Sequence, residues 1–207
     1  MDSVAVTEWD AGHRRAICSG HGHVVDASGR VLLRLGDEVV PHGQEVRVAR
    51  FLLGEAEPQM VLRFNGHGTD VICVDTSGRI RSRLSLNESP NNTGMEPVYL
   101  DGCDRPAMLY NGGLLWNVET RESVALPNLP EPERIGRMSW YHCVPVETAG
   151  DGAEALFLYN PWEPVVRIYS RDRRSLDATR WPVGSPGETA PIGFRPTPRQ
   201  YNPRLMD

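Results

Sequence analysis

The sequence predicts an all-β protein: a β-propeller of about four four-stranded antiparallel blades, forming an open arc or partial propeller. Three observations lead to this prediction. Short β-branched runs bounded by Asn, Asp and Gly recur along the chain, similar loops return at a period near 46 residues, and no long amphipathic helix is evident. A period near 46 with four strands per unit is typical of propeller blades. An ordinary β-sandwich whose turns recur by chance is the alternative.

The clearest unit spans residues 45–86. Residues 61–64 and 71–74 are short apolar runs joined by the loop Asn65-Gly-His-Gly68, and Asp75-Thr-Ser-Gly78 turns the chain into a third run at 80–86. A fourth run at 46–51 precedes them. Four antiparallel strands in about 40 residues make one compact sheet.

The loop of this unit recurs along the chain. Equivalent loops begin at Ser19, Asn65, Asn111 and Asn160, which are 46, 46 and 49 residues apart. Turns follow three of them in register: Asp26-Ala-Ser-Gly29, Asp75-Thr-Ser-Gly78 and Asn117-Val-Glu-Thr120. Blades are therefore expected at about residues 4–38, 45–86, 94–127 and 138–172, with a proline-rich tail at 173–207 that docks on them.

Composition excludes several classes of protein. The 207 residues are 40% hydrophobic and 24% charged, with a net charge of −5, and all 22 basic residues are arginine. This acidic balance argues against nonspecific nucleic-acid binding, and no apolar run is long enough for a membrane span. No secretory segment opens the chain, so it is expected in the cytoplasm as written, or secreted if it is an N-terminally truncated fragment. The four cysteines have no C-x-x-C spacing and are expected as buried free thiols.

Blade topology sorts polar residues by face. In an up-and-down blade, the loop between the second and third strands and the connection to the next blade emerge on the same side. The loops supply His21, His23, Asn65, His67, Asn111, Asn160 and Trp162, and the connections supply His42, Glu45, Asn91, Asn92, Glu96, Trp140, Tyr141 and His142. Five of the six histidines thus share one face, which is the expected binding site.

Each candidate also has a purely structural interpretation. The recurring asparagines suit turn formation, and a histidine between glycines, such as His67, suits a local hydrogen bond. Trp140 and Tyr141 suit packing at a blade junction, and His142 suits a buried core position. No histidine or carboxylate group has metal-ligand spacing, so no metal site is predicted.

Several motifs resemble a known family. Leu109-Tyr-Asn-Gly-Gly113, Leu158-Tyr-Asn-Pro-Trp162 and Val166-Arg-Ile-Tyr169 look like the blades of bacterial rhamnogalacturonan lyases. More loosely, they resemble the wider set of β-propeller polysaccharide lyases, including ulvan lyases, and uncharacterised bacterial relatives of these enzymes. Those families have seven or eight blades, so the resemblance implies that this chain corresponds to their C-terminal blades.

The resemblance implies β-elimination at a uronic acid of a bound oligo- or polysaccharide. That reaction requires a neutralised carboxylate, a base at C5 and an acid for the leaving O4. The candidate catalytic residues are His67, Tyr141, His142 and Arg199. The candidate substrate-binding residues are His21, His42, Asn65, Asn92, Glu96, Asn111, Trp140, Asn160, Trp162 and Tyr201. Calcium is implied by the resemblance alone, and the sequence has no calcium-loop motif.

A noncatalytic propeller module that binds a glycan or a protein partner is the alternative function. Catalysis needs a neutraliser, a base and an acid within hydrogen-bond reach, whereas binding needs only aromatics and amides. The fourth unit shows two clear strands and a third weaker one, so we expect an open arc that leaves Trp9 and the innermost strands partly uncovered. Exposed blade edges would then favour self-association.

Overall fold

In the computed structural model, which describes residues 3–10, 15–64, 68–88, 94–130, 141–147 and 152–170, the regular structure is β-sheet. Four antiparallel sheets follow one another along the chain. Sheet one contains β1 (Val4–Glu8), β2 (Arg15–Ser19), β3 (His23–Asp26) and β4 (Val31–Arg34). Sheet two contains β5 (Glu45–Ala49), β6 (Gln59–Arg63), β7 (Asp70–Val74) and β8 (Ile80–Ser85). Sheet three contains β9 (Glu96–Val98), β10 (Met108–Asn111), β11 (Leu114–Trp116) and β12 (Ser123–Ala125). Sheet four contains β13 (His142–Glu147), β14 (Glu154–Tyr159) and β15 (Val166–Tyr169).

The sheets are arranged like the blades of a partial propeller. Within each sheet the strands are hydrogen-bonded in sequence order. The first strands pack side by side, β1 against β5, β5 against β9 and β9 against β13. Within the described ranges, β1 and β13 do not pack in this way. The predicted all-β fold with a partial propeller-like arrangement is therefore confirmed.

Two turns show why the repeat was visible in the sequence. The Asp26 Oδ1 accepts hydrogen bonds from the Ser28 amide (2.9 Å), the Ser28 hydroxyl (2.6 Å) and the Arg30 amide (3.0 Å). The Asp75 Oδ1 accepts the same three bonds, from the Ser77 amide and hydroxyl and from the Arg79 amide. An Asp that bonds the backbone two residues on is a local turn signal, so this part of the fold depends on neighbouring residues alone.

The core lies between successive sheets rather than at one centre. One cluster joins sheets one and two around Val24, Leu62 and Ile72, and similar clusters join sheets two and three and sheets three and four. Trp9 belongs to the first cluster and is 3% exposed, so the expectation that it is partly uncovered was wrong. The reason is that Trp9, just after β1, packs in the cluster between sheets one and two.

The cysteines are free thiols, as expected. Cys18, Cys73 and Cys143 are buried, and burial raises the pKa of Cys18 and of Cys73 to about 12. Cys103 is exposed because it lies in the turn between β9 and β10, so its expected burial was wrong. The proline-rich tail at 173–207 and its predicted docking lie outside the described residues.

Candidate functional site

The starts of the first strands meet on one face of the molecule, here called the loop face. The Ser3 amide donates to the Gln44 carbonyl (2.8 Å), which joins the starts of sheets one and two. Arg47 and Glu96 join sheets two and three (3.1 Å). The Tyr110 hydroxyl donates to the Tyr141 carbonyl (2.6 Å), which joins sheets three and four. The loops between second and third strands emerge beside these contacts.

A Tyr–Glu–Arg group forms the sheet-four part of the loop face. The Tyr141 hydroxyl donates to the Glu163 carboxylate, with both oxygens at 2.9 Å. Arg167 donates from Nη2 to Glu163 (3.2 Å) and from Nε to the Tyr141 hydroxyl (3.3 Å). The Arg167 guanidinium also lies over the Tyr141 ring, 5.4 Å from its centroid. The three side chains therefore hold one another in fixed positions.

An exposed tryptophan stands next to this group. Trp162 is 47% exposed in the loop between β14 and β15, one residue before Glu163. The buried Asn160 shapes that loop, because its Oδ1 accepts the Trp162 amide (3.0 Å). The turn interpretation of Asn160 is thus confirmed. The exposed indole thus belongs to the same loop as Glu163, the partner of Arg167.

The Tyr141 hydroxyl is poorly placed to act as a base. Tyr141 is fully buried, and this burial raises the pKa of its hydroxyl, to which the Glu163 carboxylate adds. A raised pKa leaves little phenolate at neutral pH. The hydroxyl also lies beneath its two bonded partners rather than open to a ligand.

His142 is turned away from Tyr141. Tyr141 and Cys143 belong to the cluster between sheets three and four, so His142, between them in sequence, points to the other side of sheet four. There its ring stacks on Tyr159, with centroids 5.3 Å apart. The structure thus does not bring these two candidate catalytic residues together.

A buried ion-pair network lies where β5 and β9 begin. Arg47 donates from Nη2 to Glu45 (2.8 Å) and to Glu96 (3.1 Å), and Arg63 lies 3.7 Å from the second Glu45 oxygen. Burial raises the pKa of Glu45, and the adjacent Arg47 and Arg63 oppose that shift. Glu96, a candidate substrate-binding residue, is thus a member of a network between two sheets.

Asn111 joins two sheets through its amide. The Oδ1 accepts the Glu88 amide (3.1 Å) and the Nδ2 donates to the Gly94 carbonyl (3.0 Å), and the side chain is fully buried. Both partners lie in the connection from sheet two to sheet three. This candidate substrate-binding residue therefore anchors the connection.

We expect Asn111→Ala to lower the free energy of unfolding by about 1–3 kcal/mol, because it removes two partly buried hydrogen bonds that anchor the connection between sheets two and three. Chemical denaturation followed by tryptophan fluorescence measures this. Asn117→Ala is the matched control, since Asn117 bonds the backbone of an exposed turn and its loss should cost less. Lower glycan affinity at unchanged stability would instead make Asn111 a binding residue.

The candidate histidines of sheet one form a separate corner of the loop face. The rings of His21 and His23 are stacked with centroids 6.3 Å apart, and His42 is exposed. The β2–β3 loop and the connection carrying His42 touch at Gly20 and Gly43. Six further candidates lie outside the described residues, and their roles stay predictions: Asn65, His67, Asn92, Trp140, Arg199 and Tyr201.

Sequence reasoning missed Glu163 and Arg167. The only signal was in the short stretch from Trp162 to Arg167, where an acidic residue in the hairpin loop precedes a basic residue in β15. It could not be recognised, because Tyr141, the residue that orders both, lies 22 and 26 positions earlier in the chain.

The face opposite the loop face holds a cleft of about 1190 Å³ between sheets three and four. Apolar side chains such as Met108 and Leu156 form its floor. Its charged lining is Asp101, Asp104 and Glu119 against Arg105. This acidic excess repels an anionic ligand, so the cleft suits an acidic glycan less well than the loop face does.

Among the described residues, no three His, Cys, Asp or Glu side chains are grouped so that they could hold a metal ion. The described ranges also contain no helix long and apolar enough to cross a membrane.

Comparisons with known proteins give a loose likeness in fold. No protein-family model and no curated protein matches the chain. Among solved structures it is similar to the Bacillus licheniformis rhamnogalacturonan lyase PL11, with a TM-score of 0.45 and 14% identity. It is also similar to the rhamnogalacturonan lyase YesW, with a TM-score of 0.44 and 10% identity. Each alignment covers 81% of this chain and 35% of the other, so the chain spans about a third of those proteins.

Proposed function

We propose that this chain is a propeller-like module that binds uronic-acid-containing glycans at the sheet-four part of the loop face. The observation that carries the proposal is the half-exposed Trp162 in the same β14–β15 hairpin as the ordered Arg167–Glu163 pair. An exposed indole offers a rigid apolar plane for the face of a sugar ring, and nearby polar groups fix the orientation of the ring.

Arg167 supplies the group that recognises the uronate. Its side chain is 30% exposed, and among the described residues its hydrogen bonds use Nε and Nη2. The two hydrogens on Nη1 can therefore reach a carboxylate of the glycan while Tyr141 and Glu163 hold the guanidinium in place. Glu163 accepts sugar hydroxyls at the same position.

We expect Trp162→Ala to weaken binding of rhamnogalacturonan or ulvan by about tenfold or more, a loss of about 1.4 kcal/mol or more. Isothermal titration calorimetry measures the affinity. Leu53→Ala is the control, because Leu53 is 64% exposed on the opposite face and its removal should leave the affinity unchanged. Equal affinities for the Trp162 variant and the parent chain would contradict the proposed site.

Arg167→Gln tests the charge. This variant should no longer prefer a uronate polymer over a neutral one. The glycan should still bind through its contact with Trp162. The preference of the parent chain should weaken with added salt, because it rests on a partly exposed charge.

β-Elimination at the same uronate is the second candidate function. The observation in its favour is the 3.3 Å contact between the Tyr141 hydroxyl and Arg167, which places a proton carrier beside a carboxylate neutraliser. Burial of Tyr141 and its raised pKa count against this role. Absorbance of the unsaturated product during incubation with either polymer separates the two functions, and the binding proposal expects no increase.

A further inference from the structure

Sheet one carries an aliphatic row on the side facing away from sheet two. Val6, Ile17, Val25 and Val31 are in register across its four strands. Ile17 is 43% exposed and Val31 is 52% exposed. On the other side of the sheet, Ala16, Cys18 and Val24 are buried against sheet two. The outer row of sheet one is therefore built like a packing face but is open to solvent.

Sheet four carries a second row of the same kind. Val144, Phe157 and Ile168 are in register across its three strands. Val144 is 46% exposed and Ile168 is 42% exposed. Their neighbours Cys143 and Leu158 point the other way, into the cluster with sheet three. The outer row of sheet four thus mirrors that of sheet one at the opposite end of the molecule.

The interior sheets show what such a face packs against. Val46, Leu62 and Ile72 on one side of sheet two pack on sheet one, and Val61 and Cys73 on the other side pack on sheet three. Each interior sheet therefore packs on the preceding sheet with one side and on the following sheet with the other. The two outer rows are the two halves of one more junction of this type.

We propose that the outer row of sheet one packs on the outer row of sheet four of a second copy of this chain. A second copy is the fitting partner because the chain itself supplies both halves, and because the contact continues the stacking already present at the three internal junctions. Such a head-to-tail contact is heterologous, so it closes into a ring of copies or extends from copy to copy. This goes beyond glycan binding, since the rows are separate from Trp162 and Arg167.

Size-exclusion chromatography with light scattering tests the proposal on the 207-residue chain. We expect a mass of at least twice 23.1 kDa. Ile17→Arg and Ile168→Arg should each reduce it to the monomer mass, since each places a charge in one half of the junction. Val124→Arg is the control, because Val124 is 63% exposed but belongs to neither row. Circular dichroism should show that all three variants are folded.

Mixing the two disrupted variants gives the decisive result. A mixed pair keeps one intact junction, between the sheet four of the Ile17 variant and the sheet one of the Ile168 variant. The mixture should therefore regain a dimer that neither variant forms alone. A monomeric parent chain, association that survives both substitutions, or loss of association in only one variant would each overturn the proposal.

Discussion

Replacing Arg47 with methionine should lower the free energy of unfolding by about 3–5 kcal/mol, the cost of breaking a buried ion pair from one side. Arg47 lies between the Glu45 and Glu96 carboxylates, at 2.8 and 3.1 Å. The Glu45 and Glu96 side chains are 11% and 9% exposed and that of Arg47 is 18% exposed, so water replaces the lost guanidinium only in part. Urea denaturation followed by tryptophan fluorescence measures the loss.

Arg81→Met is the matched control for this prediction. Arg81 also contacts two carboxylates, Glu55 at 2.6 Å and Asp75 at 3.4 Å, but its side chain is 30% exposed. An ion pair exposed to this degree contributes little to stability, so the loss for Arg81→Met should be clearly smaller than that for Arg47→Met. Equal losses in the two variants would show that the buried network stabilises the fold no more than a surface ion pair.

The Arg47 variant should also respond to pH in a specific direction. Burial raises the pKa of Glu45 in the folded state, and Arg47 opposes this effect, so its removal raises that pKa further. A carboxyl whose pKa is raised on folding stabilises the protein below its unfolded pKa and loses that contribution as pH rises through the folded value. The difference in the free energy of unfolding between variant and parent should therefore shrink as the pH falls from 7 toward 4.5, the ordinary pKa of glutamate.

Gly43→Ala should destabilise the chain by about 3 kcal/mol, near the upper end of the usual cost of overpacking. A Cβ at this position would lie 2.2 Å from the Gly20 carbonyl oxygen and 2.6 Å from the His21 Cα. Both are backbone atoms, so they cannot rotate aside. To remove this clash, the β2–β3 loop must move away from the connection that contains Gly43. That movement weakens the hydrogen bond from the Gly20 amide to the Ser3 carbonyl (2.9 Å).

Gly36→Ala is the control for the Gly43 substitution. A Cβ on Gly36 meets the Glu38 carboxylate, which ends a flexible side chain and can move away. Thermal unfolding should show a clearly smaller decrease for Gly36→Ala. Similar midpoints of thermal unfolding for both variants would mean that the backbone at the Gly20–Gly43 contact can shift at little energetic cost.

The strands and turns of this protein could be predicted because their causes are local. Short apolar runs bounded by turn residues define strands such as β6 and β7, and the Asp26 and Asp75 turns bond residues two and four positions ahead. The same local chemistry placed Asn160 in a turn. Repetition of these signals near 46 residues then indicated four successive sheets.

The site could be predicted only in outline. Topology correctly brought Tyr141 and Trp162 to one face, because strand order determines where loops emerge. It could not show that Tyr141 is buried under Glu163 and Arg167, or that His142 faces the other side of sheet four. Those results depend on which side of each strand meets a neighbouring sheet.

The sequence by itself determined the class of fold, the repeat and the face on which polar loops gather, since these follow from short-range periodicity and turn chemistry. Only the tertiary structure decided which polar residues are exposed. Packing of one sheet on the next buries Glu96 and Asn111, whose side chains join neighbouring sheets, and leaves Trp162 about half exposed. The same packing leaves the outer rows of sheets one and four uncovered. Whether a side chain is buried depends on residues that are distant in the sequence, so the sequence pattern alone does not determine it.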